Sequence, residues 1–174
     1  QIKGGASLSN NSESSIIHLV EGPGQGEWPT GNTNIEISKA SLDGRTASVI
    51  DGSLFGHKGK LLLSVGEGAQ LSSECSNGTV AINDIYHTDV QPRLEVHWNG
   101  GSIVNESSES SDRTWDGSYA ALNLGGFTNK KYFPQGVLLV GSGTEVRVRG
   151  NREPLVYFEA LDMGNPSNWK LYSE

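Results

Sequence analysis

Apolar and polar residues alternate in short runs along this chain, and a turn signal interrupts them roughly every 8 to 15 residues. The clearest run is residues 136–150, GVLLVGSGTEVRVRG. Val146 and Val148 alternate with Glu145, Arg147 and Arg149, the period-two pattern of a strand with one wet face. Residues 137–140 are apolar on both faces, as in a strand covered on both sides. Gly141-Ser142-Gly143 lies between them, and its glycines can take positive φ, so the stretch predicts a hairpin. Residues 93–98 alternate as cleanly, with Leu94, Val96 and Trp98 on one side and Glu95 and His97 on the other. Asn99-Gly100 supplies type I′ turn chemistry into Ser102-Ile103-Val104.

Further strands are expected at 16–20, 34–42, 60–65, 79–86, 118–124 and 155–161, with an edge strand at 169–172. Asp43-Gly44, Asp51-Gly52 and Asp116-Gly117 read as turns. Apolar residues at helical spacing never persist for three turns, so no helix is expected. Residues 1–15 read as a polar N-terminal arm, loose or edge-pairing, and residues 16–174 as a single β domain. GKLLLSVGEGAQL at 59–71 echoes GVLLVGSGTEV at 136–146, which predicts two similar hairpins in equivalent layers.

The fold class is therefore all-β. Strands starting at uneven intervals favour an antiparallel β-sandwich or jelly roll. The phrases NIEIS and KLLLS, within residues 33–86, resemble rungs of the parallel β-helices of phage tailspikes and bacterial surface adhesins. That resemblance implies an alternative, a short parallel β-helix followed by a β-sandwich.

Composition narrows the partners. Among 174 residues, 19% are charged and 23 are Gly, which suits many short strands joined by tight turns. A net charge of −7 argues against a nucleic-acid surface. No apolar run reaches the length of a membrane helix. Gln1 in place of Met reads as the start of a mature, processed or excised product. The single cysteine, Cys75, allows no intrachain disulfide. Asn10, Asn77 and Asn105 head sequons that matter only in a glycosylating, secreted setting.

Candidate chemistry is sparse. His87 and Asp89 with His97 could form a three-ligand metal site, but the residue types alone favour surface histidines. The spacing of Cys75, the histidines and Met163 does not fit a blue-copper site. Asp43, Asp51, Asp84, Asp89 and Asp116 are the candidates for a carboxylate pair acting on glycosidic bonds. Three of these precede Gly, where turn duty is the simpler role. No cofactor is expected; calcium on turn carboxylates is the one the composition leaves open. The aromatic residues carry more. Trp28 sits in a Pro/Gly-rich loop, and Trp115 and Tyr119 flank an Asp-Gly turn. A ring face beside carboxylates and amides is suited to stacking on a sugar, so Trp28, Trp115, Asp116 and Tyr119 form the expected ligand site. Trp98, on an alternating strand, is expected in the core.

The resulting expectation is a non-enzymatic extracellular structural or adhesive module, at a cell or virion surface. It would be part of a surface fibre, pilus or phage spike that assembles with copies of itself. Two alternatives accompany it: a carbohydrate-binding module or lectin using loop tryptophans, and a polysaccharide-cleaving β-helix enzyme.

Overall fold

The computed structural model describes residues 1–10, 13–19, 32–53, 59–83, 86–87, 94–108, 119–124, 133–148, 156–158 and 168–173. Among them are sixteen strands and no helix. The strands are β1 (Ser7–Ser9), β2 (Ile17–Leu19), β3 (Thr33–Ile37), β4 (Ser41–Asp43), β5 (Ile50–Ser53), β6 (Leu61–Val65), β7 (Gln70–Ser73) and β8 (Val80–Asn83). They continue with β9 (Tyr86–His87), β10 (Leu94–Trp98), β11 (Ser102–Asn105), β12 (Leu122–Leu124), β13 (Phe133–Val140), β14 (Glu145–Val148), β15 (Val156–Phe158) and β16 (Asn168–Ser173).

Three sheets result. Sheet I runs β3-β6-β10-β13-β16, sheet II β1-β4-β7-β11-β14, and sheet III β2-β5-β8-β12-β15. Twelve strand pairings among the described residues are parallel, and one, between the short β9 and β13, is antiparallel. The chain visits sheets I, II and III in turn and then returns to sheet I, laying each circuit on the one before. This is a parallel β-helix.

The antiparallel sandwich or jelly roll is thereby overturned, and the β-helix alternative fits. The coil continues to β16 in sheet I, so its parallel pairing extends well past the 33–86 phrases. The hairpin at 136–150 is also corrected. Strands β13 and β14 do not pair with each other. Trp98 pairs with Val65 and Val140 in sheet I, while Ile103 pairs with Leu71 and Val146 in sheet II. Glycine at positive φ permits a corner as readily as a hairpin. Gly100 (φ 78°) and Gly143 (φ 73°) turn the chain from one sheet to the next. Lys39 (φ 50°) does the same inside the stretch read as one strand at 34–42, splitting it into β3 and β4. The echo between 59–71 and 136–146 is the same corner met in two different rungs.

Successive rungs are unequal, which is why no sequence period is visible. In sheet I, Ile2, Ile37, Val65, Trp98, Val140 and Ser173 align at steps of 35, 28, 33, 42 and 33 residues. The variation is not spread evenly. From sheet I to sheet II the inward anchors Ile37–Leu42, Val65–Leu71, Trp98–Ile103 and Val140–Val146 lie five or six residues apart. From sheet II to sheet III the steps Leu42–Ile50 and Leu71–Val80 take eight and nine residues, but Ile103–Leu122 takes nineteen.

The core is built from inward columns running along the coil. Ile35, Leu63, Val96 and Leu138 share one register position, and Ile17, Ile50, Val80, Leu122 and Val156 another. Leu63, Val96, Ile50, Val80 and Leu122 are fully buried. Strands Leu61–Val65 and Leu94–Trp98 alternate buried and half-buried residues as their sequences predict. Trp98 is in the core, where its indole N–H donates to the Gly101 carbonyl (2.9 Å). Residues 1–10 lie on the second rung: β1 pairs with β4, Ile2 bridges Ile37, and Gly5 N donates to Lys39 O.

Candidate functional site

Because inward positions are apolar, polar chemistry collects on the outer faces and at the corners. On the outer face of sheet I, Asn34, Leu62 and Glu95 share one register row, and Glu36, Ser64, His97 and Leu139 the next. None of these seven is buried. Each carboxylate is held by two donors. Lys60 Nζ lies 2.7 Å from Glu95 Oε1, and His97 Nε2 lies 3.5 Å from Glu95 Oε2. Glu36 Oε2 receives Lys3 Nζ at 3.0 Å and Gln1 Nε2 at 2.8 Å. These contacts join first to second rung and third to fourth, so they fix the carboxylates as well as the coil.

A second cluster lies at the start of sheet III. His18 and Asp51 are register partners, with Nδ1 and Oδ1 2.7 Å apart, and the Ser15 hydroxyl donates to the same Oδ1 at 2.6 Å. Asp51 is in strand β5, not in the turn its Asp-Gly pair predicts, because Gly52 takes an extended positive φ of 137°. With Asp51 accepting from Nδ1–H, the neutral imidazole carries its lone pair on Nε2. The three residue types of an acyl-transfer triad are present but wired differently. Ser15 gives its proton to Asp51 rather than to His18, so this cluster does not activate a serine nucleophile.

The corner between sheets II and III is a buried polar network. Ser48 Oγ donates to Gly78 O (2.7 Å), and Thr79 Oγ1 donates to Val104 O (2.7 Å) and lies 2.9 Å from Ser73 Oγ. Asn105 Nδ2 donates to Cys75 O (2.9 Å), and Asn105 Oδ1 accepts from Ser107 N (3.0 Å). Asn105 is 1% exposed with both ends of its amide engaged, so the NES sequon cannot carry a glycan in this fold. Asn105 also fixes the entry to the long fourth-rung connection, while Tyr119 (φ 57°) donates its backbone N–H to Ser76 O (2.6 Å) at the exit.

Of the expected ligand residues, Tyr119 is described and half-buried at that exit. Trp28, Trp115 and Asp116 lie outside the described residues, as do Asp84, Asp89 and His57. Asp43 does turn duty, accepting the Arg45 backbone N–H at 3.0 Å. Among the described residues no three His, Cys, Asp or Glu side chains gather as metal ligands, and no helix is long and apolar enough to cross a membrane. Sequence reasoning missed the His18–Asp51 pair and the Glu36 and Glu95 clusters. Each joins residues 33 to 35 positions apart, and only knowledge of the rung step would have found them. No protein-family model, curated protein or solved structure matches the chain.

Proposed function

We propose that this chain is an extracellular, non-enzymatic adhesive β-helix that binds glycans, with contacts supplied by the connections between rungs and by the outer faces they border. The observation that carries this reading is the division of labour among its tryptophans. Trp98 fills the core, whereas Trp28 falls between β2 and β3 in sequence and Trp115 between β11 and β12. The β11–β12 connection is the longest described step from sheet II to sheet III, and both its ends are pinned by hydrogen bonds. Solenoids commonly place such insertions on a binding face. Glycan-array binding that disappears in Trp28→Ala or Trp115→Ala is the expected result. Tryptophan fluorescence unchanged across a broad sugar panel would remove the reading. Assembly with copies of itself, as in a fibre or spike, belongs to the same proposal, and light scattering that finds only monomer at every concentration would strike it out.

A second reading, cleavage of a polysaccharide, is favoured by the outward His18–Asp51 pair, in which an oriented imidazole could accept a proton. It predicts new reducing or unsaturated ends from an acidic or capsular glycan. Activity undiminished in Asp51→Asn would end it.

A further inference from the structure

The outer face of sheet I differs from the other two. In sheet II Val104 is 6% exposed, and in sheet III Ala81 and Asn123 are 2% and 8% exposed, although all three point away from the core. On sheet I every described outward side chain from β3 to β10 remains accessible. Those side chains form two rows about 6.6 Å apart, with strands about 4.8 Å apart across them. One step between strands is close to the advance of one pyranose residue in an extended chain, about 5 Å, so successive sugars would meet successive rungs.

The chemistry of the strip is specific in charge. The protein as a whole carries −7, but Glu36 and Glu95 are each neutralised by a lysine, Lys3 and Lys60, leaving the strip without net charge. The carboxylates are held in place by donors from neighbouring rungs, and His97 and Ser64 lie side by side in the same row as Glu36. Half-buried Leu62 offers an apolar contact between Asn34 and Glu95. Fixed carboxylates and hydroxyls beside a small apolar surface suit the alternating hydroxyls and C–H faces of a sugar.

We propose that the outer face of sheet I is a binding strip for an uncharged linear polysaccharide lying along the coil axis, one sugar residue per rung. This rests on the glycan-binding reading and names the ligand class and the surface. The test uses calorimetry on the full chain with β-1,3- and β-1,4-linked glucan and mannan oligosaccharides of two to eight residues, and polygalacturonate as a charged comparison. Affinity is expected to rise to about four residues and then level off, matching the open rungs. Glu95→Gln and His97→Ala should each weaken binding about tenfold, the loss expected for a hydrogen bond involving a fixed polar group, with melting temperature unchanged. Binding that survives both variants but fails in Trp28→Ala or Trp115→Ala overturns the strip and leaves the glycan reading standing. Tighter binding of polygalacturonate than of any neutral oligosaccharide also overturns it. No binding of any of these sugars overturns the strip, and silence across a full glycan array takes the broader reading with it.

Discussion

Replacing Trp98 tests the coil at its centre. Trp98 is fully buried and stands in one column with Val65 below and Val140 above, so it joins the third, fourth and fifth rungs. Trp98→Ala removes the largest inward side chain and should cost about 3–5 kcal/mol, a large share of a typical domain's 5–15 kcal/mol. Trp98→Phe keeps most of the ring. It loses the 2.9 Å bond to Gly101 O, but that carbonyl still accepts from Glu145 N at 3.0 Å and is not orphaned. The expected cost is therefore about 2–3 kcal/mol, one hydrogen bond plus the smaller apolar surface. Stability in a stacked coil is close to a sum of rung and neighbour terms, so weakening the middle should also uncouple the two ends. Urea unfolding followed by far-ultraviolet circular dichroism reads both effects. Trp98→Ala should lower the midpoint and broaden the transition. A transition as steep as that of the parent, with stability changed by less than about 0.5 kcal/mol, would refute the stacking described for this residue.

Three further outcomes follow from other parts of the coil. A Cβ at Gly52 would overlap the Leu19 carbonyl oxygen and side chain at a φ of 137°, so Gly52→Ala should release β2 from β5, read as faster amide exchange at residues 17–19. Thr79→Val removes both hydroxyl contacts from a side chain with no exposure and should cost about 1–3 kcal/mol in chemical denaturation; a neutral result would show that the corner does not need its polar network. His18→Gln, by contrast, should change stability by less than about 1 kcal/mol in the same assay, because the imidazole is 61% exposed and water screens its pairing with Asp51.

How much of this was legible depends on what alternation can report. In residues 94–98 the sequence alone assigns Leu94, Val96 and Trp98 inward and Glu95 and His97 outward, and each is placed so. Alternation is blind to the partner strand, however. Val140 followed by Gly141-Ser142-Gly143 reads the same whether the next strand folds back or enters a new sheet, because Gly143 serves either geometry. The rung step could have decided the matter, but the long connection after Asn105 hides it. The same limit applies to the outer faces. Lys60 and Glu95 are 35 residues apart, and no local pattern brings them together. Tyr119 was recognised beside its Asp-Gly turn, but the backbone conformation that makes it the exit of a connection has no sequence signature for a bulky residue.

The constancy of the corner between sheets I and II has a practical side. Five or six residues suffice there in every rung, and glycines or Lys39 occupy tightly stacked positions, so that edge is a spine that would resist added sequence. The opposite corners already tolerate a difference of ten residues or more between rungs without disturbing the columns inside. Foreign peptides grafted after Ser73 or Asn105 would therefore be displayed at a fixed pitch on one side of a rod, making the coil a ruler for spacing epitopes.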